Sequence, residues 1–302
     1  MTFSESVKRE LCGIRYERTC CQTAHLYGML CFAKEFTRYR TVFTSEYSFL
    51  LDHFRDALSW CGFDSCHLAA TDYTRGGSLT VSNREANEQL LFDYGYSGTE
   101  INLRLNRDNF YCDECFGAFL AGTFLAGGTM TDPSINYHLE FSTHKSIFLS
   151  DFCRLLDEHH FAPKVAERGY SKIVYFKDSS RIEDLLATMG AVERTLELMN
   201  TKIVKEIRNS VNRRANCESA NIDKTVEAAA ADCAAILYLK ECGAFETLSD
   251  NIRAVADARL ENPELSLAEL GELFQPALAK SAVNYRLSKI KAMAENLRSD
   301  RT

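Results

Sequence analysis

The chain has no apolar run approaching the ~18 residues that a membrane-spanning helix requires, which excludes an integral helical membrane protein. Its opening, MTFSESVKRELCG, lacks a basic stretch followed by an apolar one, so it does not read as an export signal. Twelve cysteines among 302 residues are too sparse for a disulfide-stapled scaffold. Together these absences predict reduced thiols in a cytoplasmic protein. A general excess of positive charge is missing as well, since the formal net charge is −7.

What remains is an ordinary globular composition, 46% hydrophobic and 25% charged, with length enough for two domains. The charge is unevenly spread. Residues 1–199 hold 20 Lys/Arg against 27 Asp/Glu, whereas residues 200–302 hold 15 of each. Two segments of the second part are basic. Residues 200–217 carry Lys202, Lys205, Arg208, Arg213 and Arg214 against Glu206, and residues 276–302 carry six cations against Glu295 and Asp300. Basic segments in an acidic chain point to focused contact with an anion such as DNA; solvated helix faces are the alternative reading.

The first 199 residues repeat. Leu26–Lys34 reads LYGMLCFAK and Leu120–Gly128 reads LAGTFLAGG, with Gly28 in register with Gly122 and Cys21 with Cys115. Each segment is followed by a β-rich run, then a helical one, EYSFLLDHFRDALSWCG in the first copy and KSIFLSDFCRLLDEHH in the second. A hairpin and a short helix complete each copy, the first hairpin turning around Arg75-Gly76-Gly77 and the second at Gly169. The order helix–strand(s)–helix–strand–strand–helix thus occurs twice, which predicts a pseudo-twofold domain whose halves bury one another. Glycine inside a helix costs about 1 kcal/mol against alanine, so Gly28, Gly122 and the neighbouring Ala126 predict close helix–helix packing.

With these residues in view, the first domain resembles the LAGLIDADG homing-endonuclease fold, in which two such helices pack at the centre and saddle-shaped sheets lie on DNA. In that family the last acid of each motif holds a divalent metal, which needs hard oxygen ligands. The matching positions are Ala33 and Gly127, and the motif's other acid falls at Cys31 and Leu125. None supplies a carboxylate; Glu35 and Asp132 lie nearby in sequence but off the motif. The expectation is a protein without catalytic residues, resident metal or cofactor.

The cysteines raise a separate question. Cys20-Cys21 and Cys112-x-x-Cys115 occupy equivalent places before the two opening helices, so the twofold could gather all four. Adjacent cysteines make a poor zinc knuckle, however, and a lone CxxC is weak evidence, so no metal is expected. The histidines, including His159-His160, have no ligand spacing and read as solvated or hydrogen-bonded surface residues.

The last third reads as helical. Residues 196–216 predict a helix or basic linker, with Lys205, Arg208, Arg213 and Arg214 available to DNA. Asn221–Asp223 offers caps for an alanine-rich helix ending at Gly243. A further helix spans about Ser249–Leu260 and closes at Asn262-Pro263. Ser266-Leu-Ala-Glu269 forms a capping box, and Leu267, Leu270 and Phe274 share one face of the helix it opens. Beyond Gln275-Pro276, Val283, Leu287 and Ile290 form the apolar stripe of the next helix, with Gly271 small enough to be crossed by it. This is a helix-turn-helix. Its second helix carries Lys280, Ser281, Asn284, Tyr285, Arg286, Ser288 and Lys289 off the stripe, residue types that read base edges in the major groove. Lys289, Lys291 and Arg298 lie further along, where phosphate contact is expected.

The whole order, from TFSESVKREL through FLAGTFLAGGTMTDP and NSVNRRANCESANIDKTVEAAA to RLENPELSLAELGELFQPALAKSAVNYRLSKI, resembles the WhiA family of bacterial DNA-binding regulators linked to sporulation and cell division. Two departures bear on base preference: Ala279 stands where serine often caps the reading helix, and Tyr285 where histidine is common. The resemblance implies an α+β two-domain protein. It comprises a pseudo-twofold LAGLIDADG-like α/β saddle domain (1–199), a basic linker (200–220) and an all-α helix-turn-helix domain (221–302). It implies a non-enzymatic transcriptional regulator at the nucleoid, with double-stranded DNA as partner. The repeat domain would add a weak DNA contact or bind other transcription or division proteins. A metal-dependent endonuclease, and an interaction scaffold with a vestigial helix-turn-helix, stand as the alternatives.

Overall fold

The computed structural model describes residues 1–63, 68–71, 76–169 and 171–299. They fall into two compact units, Met1–Lys205 and Glu206–Thr302. Within the first, α1 (Phe3–Cys12) is capped by the Thr2 side chain and buries Phe3, Val7 and Leu11 along one stripe. Two matched series follow. The first is α2 (Thr19–Phe32), β1 (Glu35–Phe36), β2 (Thr41–Ser45), α3 (Ser48–Trp60), β3 (Leu68–Thr71), β4 (Gly77–Val81) and α4 (Arg84–Asp93). After the short 3-10 turn Arg107–Asn109, the second is α5 (Asp113–Gly127), β5 (Gly128–Met130), β6 (Leu139–Thr143), α6 (Ser146–Glu158), β7 (Lys164–Arg168), β8 (Ser171–Phe176) and α7 (Ser179–Met189). The element order read from the sequence is the observed one. Arg75, in the first hairpin turn, lies outside the described residues.

Each series forms an antiparallel four-stranded sheet with the same strand order, β1-β2-β4-β3 and β5-β6-β8-β7. The repeat extends to single side chains. In α3 the buried residues are Leu50, Leu51, His53, Phe54, Ala57 and Leu58, and in α6 they are Phe148, Leu149, Asp151, Phe152, Leu155 and Leu156, in the same register. Helices α2 and α5 are buried on nearly every side, which explains why neither shows an apolar stripe. Their two backbones touch: a Cβ on Gly28 would lie 2.2 Å from the Phe119 carbonyl oxygen, and one on Gly122 would lie 2.0 Å from that of His25. Ala126, expected in the same seam, is only half-buried.

The second unit departs from expectation at its start. Residues 192–241 form one uninterrupted helix, α8 (Val192–Glu241), so Asn221–Asp223 lie inside it and cap nothing. The run 224–236 has the alanine content to continue a helix, and no glycine or proline interrupts residues 192–241. Then come α9 (Asp250–Glu261), α10 (Leu267–Glu272) and α11 (Lys280–Ser299). The core of this unit gathers Ile236, Leu239, Phe245, Val255, Leu270, Val283, Leu287 and Ile290. No described helix is long and apolar enough to cross a membrane.

Candidate nucleic-acid interface

The C-terminal ends of α2 and α5 are where the resembled nucleases hold their metal. Ala33 caps α2 and is buried, and Gly127 ends α5. A Cβ on Gly127 would meet the Phe32 ring at 2.5 Å and the Ser142 carbonyl oxygen at 2.8 Å, so an acid at this position has no room. Cations occupy the helix ends instead. Lys145 Nζ donates to the carbonyls of Cys31 and Ala33, both at 2.9 Å, and Lys8 Nζ donates to that of Leu125 at 3.4 Å. Burial lowers both ammonium pKa values to about 8. A lysine satisfies orphan carbonyls and complements the negative end of a helix dipole, but it repels a divalent cation. The nearby acids are engaged elsewhere: Glu35 pairs with Arg40, and Asp132 accepts from the Ser134 amide at 2.7 Å.

The sheets carry little to attract phosphate. Among the described residues, the strands contain Glu35, Glu140 and Glu167 against Lys164, Arg168 and Lys172, and those of the first sheet carry no cation.

In the second unit the capping box is formed. The Ser266 hydroxyl accepts from the Glu269 amide, and the Glu269 carboxylate accepts from the Ser266 amide at 2.8 Å. A Cβ on Gly271 would lie 2.2 Å from the Leu278 carbonyl oxygen and 3.4 Å from Val283, so this glycine lets the turn and α11 close over α10. Val283, Leu287 and Ile290 are buried, which turns the opposite side of α11 outward. Ser281, Asn284, Tyr285 and Ser288 follow the spacing of one helix face and are exposed, as are Lys280 and Lys289. Lys289 Nζ stands 4.9 Å from the Tyr285 ring centre, a cation–π contact that keeps the charge on the same side.

Three basic residues of α11 make contacts within the domain. Lys291 turns inward, with Nζ 2.9 Å from Oδ1 of the buried Asp232 on α8. Asp232 also faces the buried Arg259, whose guanidinium donates to the Leu265 carbonyl at 2.6 Å, so two cations flank one buried carboxylate and Lys291 is drawn into the domain. Arg298 lies over the Tyr238 ring at 4.6 Å. Arg286 is half-buried and reaches the Asn251 carbonyl at 3.4 Å. Among the linker residues, Lys205 is committed to the first unit, donating to the Pro133 carbonyl at 2.6 Å beside the Tyr137 ring. Arg214 pairs with Glu218, while Arg208 and Arg213 are exposed.

Comparison with known proteins covers both units. Residues 116–208 match the profile of the WhiA LAGLIDADG-like domain, and residues 211–294 match that of the WhiA C-terminal HTH domain. A protein named probable cell division protein WhiA from Carboxydothermus hydrogenoformans is 33% identical over 311 residues, covering 99% of each chain. The protein of that name from Clostridium botulinum is 38% identical over 225 residues, covering 73% of this chain and 71% of its own. The crystal structure of full-length DUF199/WhiA from Thermatoga maritima superposes with a TM-score of 0.59 at 25% identity, over 98% of this chain and 99% of that one. The chain belongs to the WhiA family. The WhiA LAGLIDADG-like profile begins inside α5, so it matches the second repeat, while the full-length relative extends the kinship to the first. The WhiA HTH profile begins within α8, and Asp232 therefore belongs to the region that matches it.

Sequence reasoning missed the groups that become functional or structural only by contact. Lys8 and Lys145 sit in unremarkable polar positions, and nothing in their spacing assigns them to helix ends. His25 and His53, expected at the surface with the other histidines, are buried with their Nε2 atoms 2.8 Å apart. His25 Nδ1 donates to the Ala118 carbonyl at 3.2 Å, which leaves its Nε2 to accept from His53. The four cysteines, for which no metal was expected, come together, and their thiols lie within 4.8 Å of one another.

Proposed function

We propose that this protein is a sequence-specific double-stranded DNA-binding transcriptional regulator acting in cell division or sporulation at the nucleoid, without nuclease activity. The observation that carries the reading is the outward face of α11. Ser281, Asn284 and Tyr285 lie near its N-terminal end, where a recognition helix meets base edges in the major groove, and Lys289 follows where phosphate runs. Asparagine suits adenine, and serine pairs with several base edges. Lys280 flanks the helix start, and Arg208 and Arg213 supply exposed charge elsewhere in the second unit for phosphate contact.

The first unit supports binding only weakly, because its strands are nearly neutral and residues 1–199 are net acidic. A surface for other transcription or division proteins is the role that suits it. The lysines at the ends of α2 and α5, and the filled space at Gly127, support the loss of cleavage.

Selection from a random duplex library with the full chain tests this reading. A single enriched motif, lost on Asn284→Ala or Tyr285→Ala, is the expected result. An unenriched library together with no salt-dependent binding would favour the scaffold reading. Specific cutting of the selected duplex with Mg²⁺ or Mn²⁺ would overturn the non-enzymatic one.

A further inference from the structure

We propose that Cys20, Cys21, Cys112 and Cys115 bind one zinc ion, which clamps the N-terminal ends of the two central helices. The geometry is that of a closed mononuclear site. Sulfur–sulfur distances are 3.7 Å for Cys20–Cys112, 3.5 Å for Cys21–Cys112 and 3.5 Å for Cys112–Cys115. A tetrahedral zinc with metal–sulfur bonds of about 2.3 Å sets its four sulfurs about 3.8 Å apart. The observed separations are far longer than the ~2.0 Å of a disulfide. They also leave no space for a cluster of several irons and sulfides between the thiols.

The placement fits the charge of such a site. Cys20 and Cys21 lie in the first turn of α2, whose cap is Arg18. Cys112 caps α5, and Cys115 lies in its first turn. Zinc bound by four thiolates carries a net charge of −2, and binding releases the four thiol protons to solvent. Two helix N-termini converge on that charge, each with the positive end of its dipole. Arg18, at the cap of α2, adds a full positive charge at the same end. The opposing group is Glu114, whose Oε2 stands 3.9 Å from the Cys21 sulfur and 4.0 Å from Arg18, which partly neutralises it.

The adjacent pair works here because it is helical. The knuckle geometry demanded of a loop is replaced by a helix turn that presents two successive residues to the start of the neighbouring helix, and both Cys20 and Cys21 reach Cys112. The ion would sit at the end of the helix pair opposite the lysine-capped one, so its role is structural, with every position filled by protein sulfur.

Elemental analysis of the full-length protein, purified without chelators, tests the site directly. One equivalent of zinc per chain is expected, released when an organomercurial titrates the thiols and followed with a zinc indicator dye. Cobalt exchanged into the site should give the intense visible bands of a tetrahedral thiolate complex. Cys112→Ser and Cys115→Ser should lose the metal, whereas Cys217→Ser, an exposed cysteine outside the cluster, should keep it. Should the cluster variants fail to fold, the mercurial release from the unaltered chain still decides the matter. A chain that holds no metal after purification and after zinc reconstitution would overturn the proposal, as would a disulfide among the four found by mass spectrometry.

Discussion

Gly122 faces the carbonyl of His25 so closely that a Cβ there would stand 2.0 Å from its oxygen. The contact is reciprocal across the pseudo-twofold, because Gly28 faces the Phe119 carbonyl in the same way. Backbone cannot yield as a flexible side chain does. Gly122→Ala should therefore destabilise the first unit despite the ~1 kcal/mol gain in helix propensity, by a net ~1–3 kcal/mol as the two helices are forced apart. Thermal and urea unfolding would measure this, and an unchanged or raised midpoint would refute the packing account.

The His25–His53 pair makes stability depend on pH. Burial lowers the pKa of His25 to about 3, helped by the neighbouring His53, and that of His53 to about 4. Both lie below the unfolded value of about 6.5, so the unfolded chain binds protons first. Stability from this pair is complete above about pH 6.5 and falls as pH drops toward 4, by up to ~1.4 kcal/mol per pH unit for each group. Urea midpoints between pH 7 and 5 should decline, and His53→Gln should reduce the slope. An identical slope in the variant would remove the pair from the account.

On α11 the basic residues should separate into two kinds. Lys289→Ala should leave unfolding unchanged, weaken duplex binding several-fold and reduce the salt slope by about one counterion. Lys291→Ala removes one of the two cations that face the buried Asp232 and should destabilise the second unit, by less than the ~3–5 kcal/mol of breaking a fully buried pair, because Arg259 still faces the carboxylate and Lys291 is one-third exposed. Anisotropy titrations over a salt series, paired with thermal melts, distinguish the two. The reverse pattern would mean that Lys291 is the phosphate contact.

Ala279 precedes α11, and its carbonyl accepts from the amides of Ala282 and Val283 at 2.8 and 3.2 Å. This is the position of a helix cap without a capping oxygen. Ala279→Ser should add a hydrogen bond to the first turn and stabilise the second unit by ~0.5–2 kcal/mol. A melting midpoint unmoved by the change would show that the first turn is already satisfied.

Much of this architecture was legible in the chain itself. Alternation and spacing marked both copies of the repeat, Gly28 and Gly122 marked the helix seam, and Ser266 with Glu269 marked the start of α10, because each signal acts over a few residues. The continuity of α8 was misread at Asn221–Asp223, since residues that cap a helix also tolerate its interior when no breaker stands nearby.

The sequence by itself determined the two-domain plan, the loss of carboxylates at Ala33 and Gly127, and the apolar stripe that turns α11 outward. Only the tertiary structure decided which charges face solvent and which face one another. Lys145, Lys8 and Lys291 are indistinguishable from surface lysines along the chain, yet each ends on a carbonyl or carboxylate supplied by a distant segment. The four cysteines lie 91 or more residues apart across the repeat and meet only because α2 and α5 begin side by side. Local periodicity sets which face of an element is buried; the partner waiting on that face is set by how the elements pack.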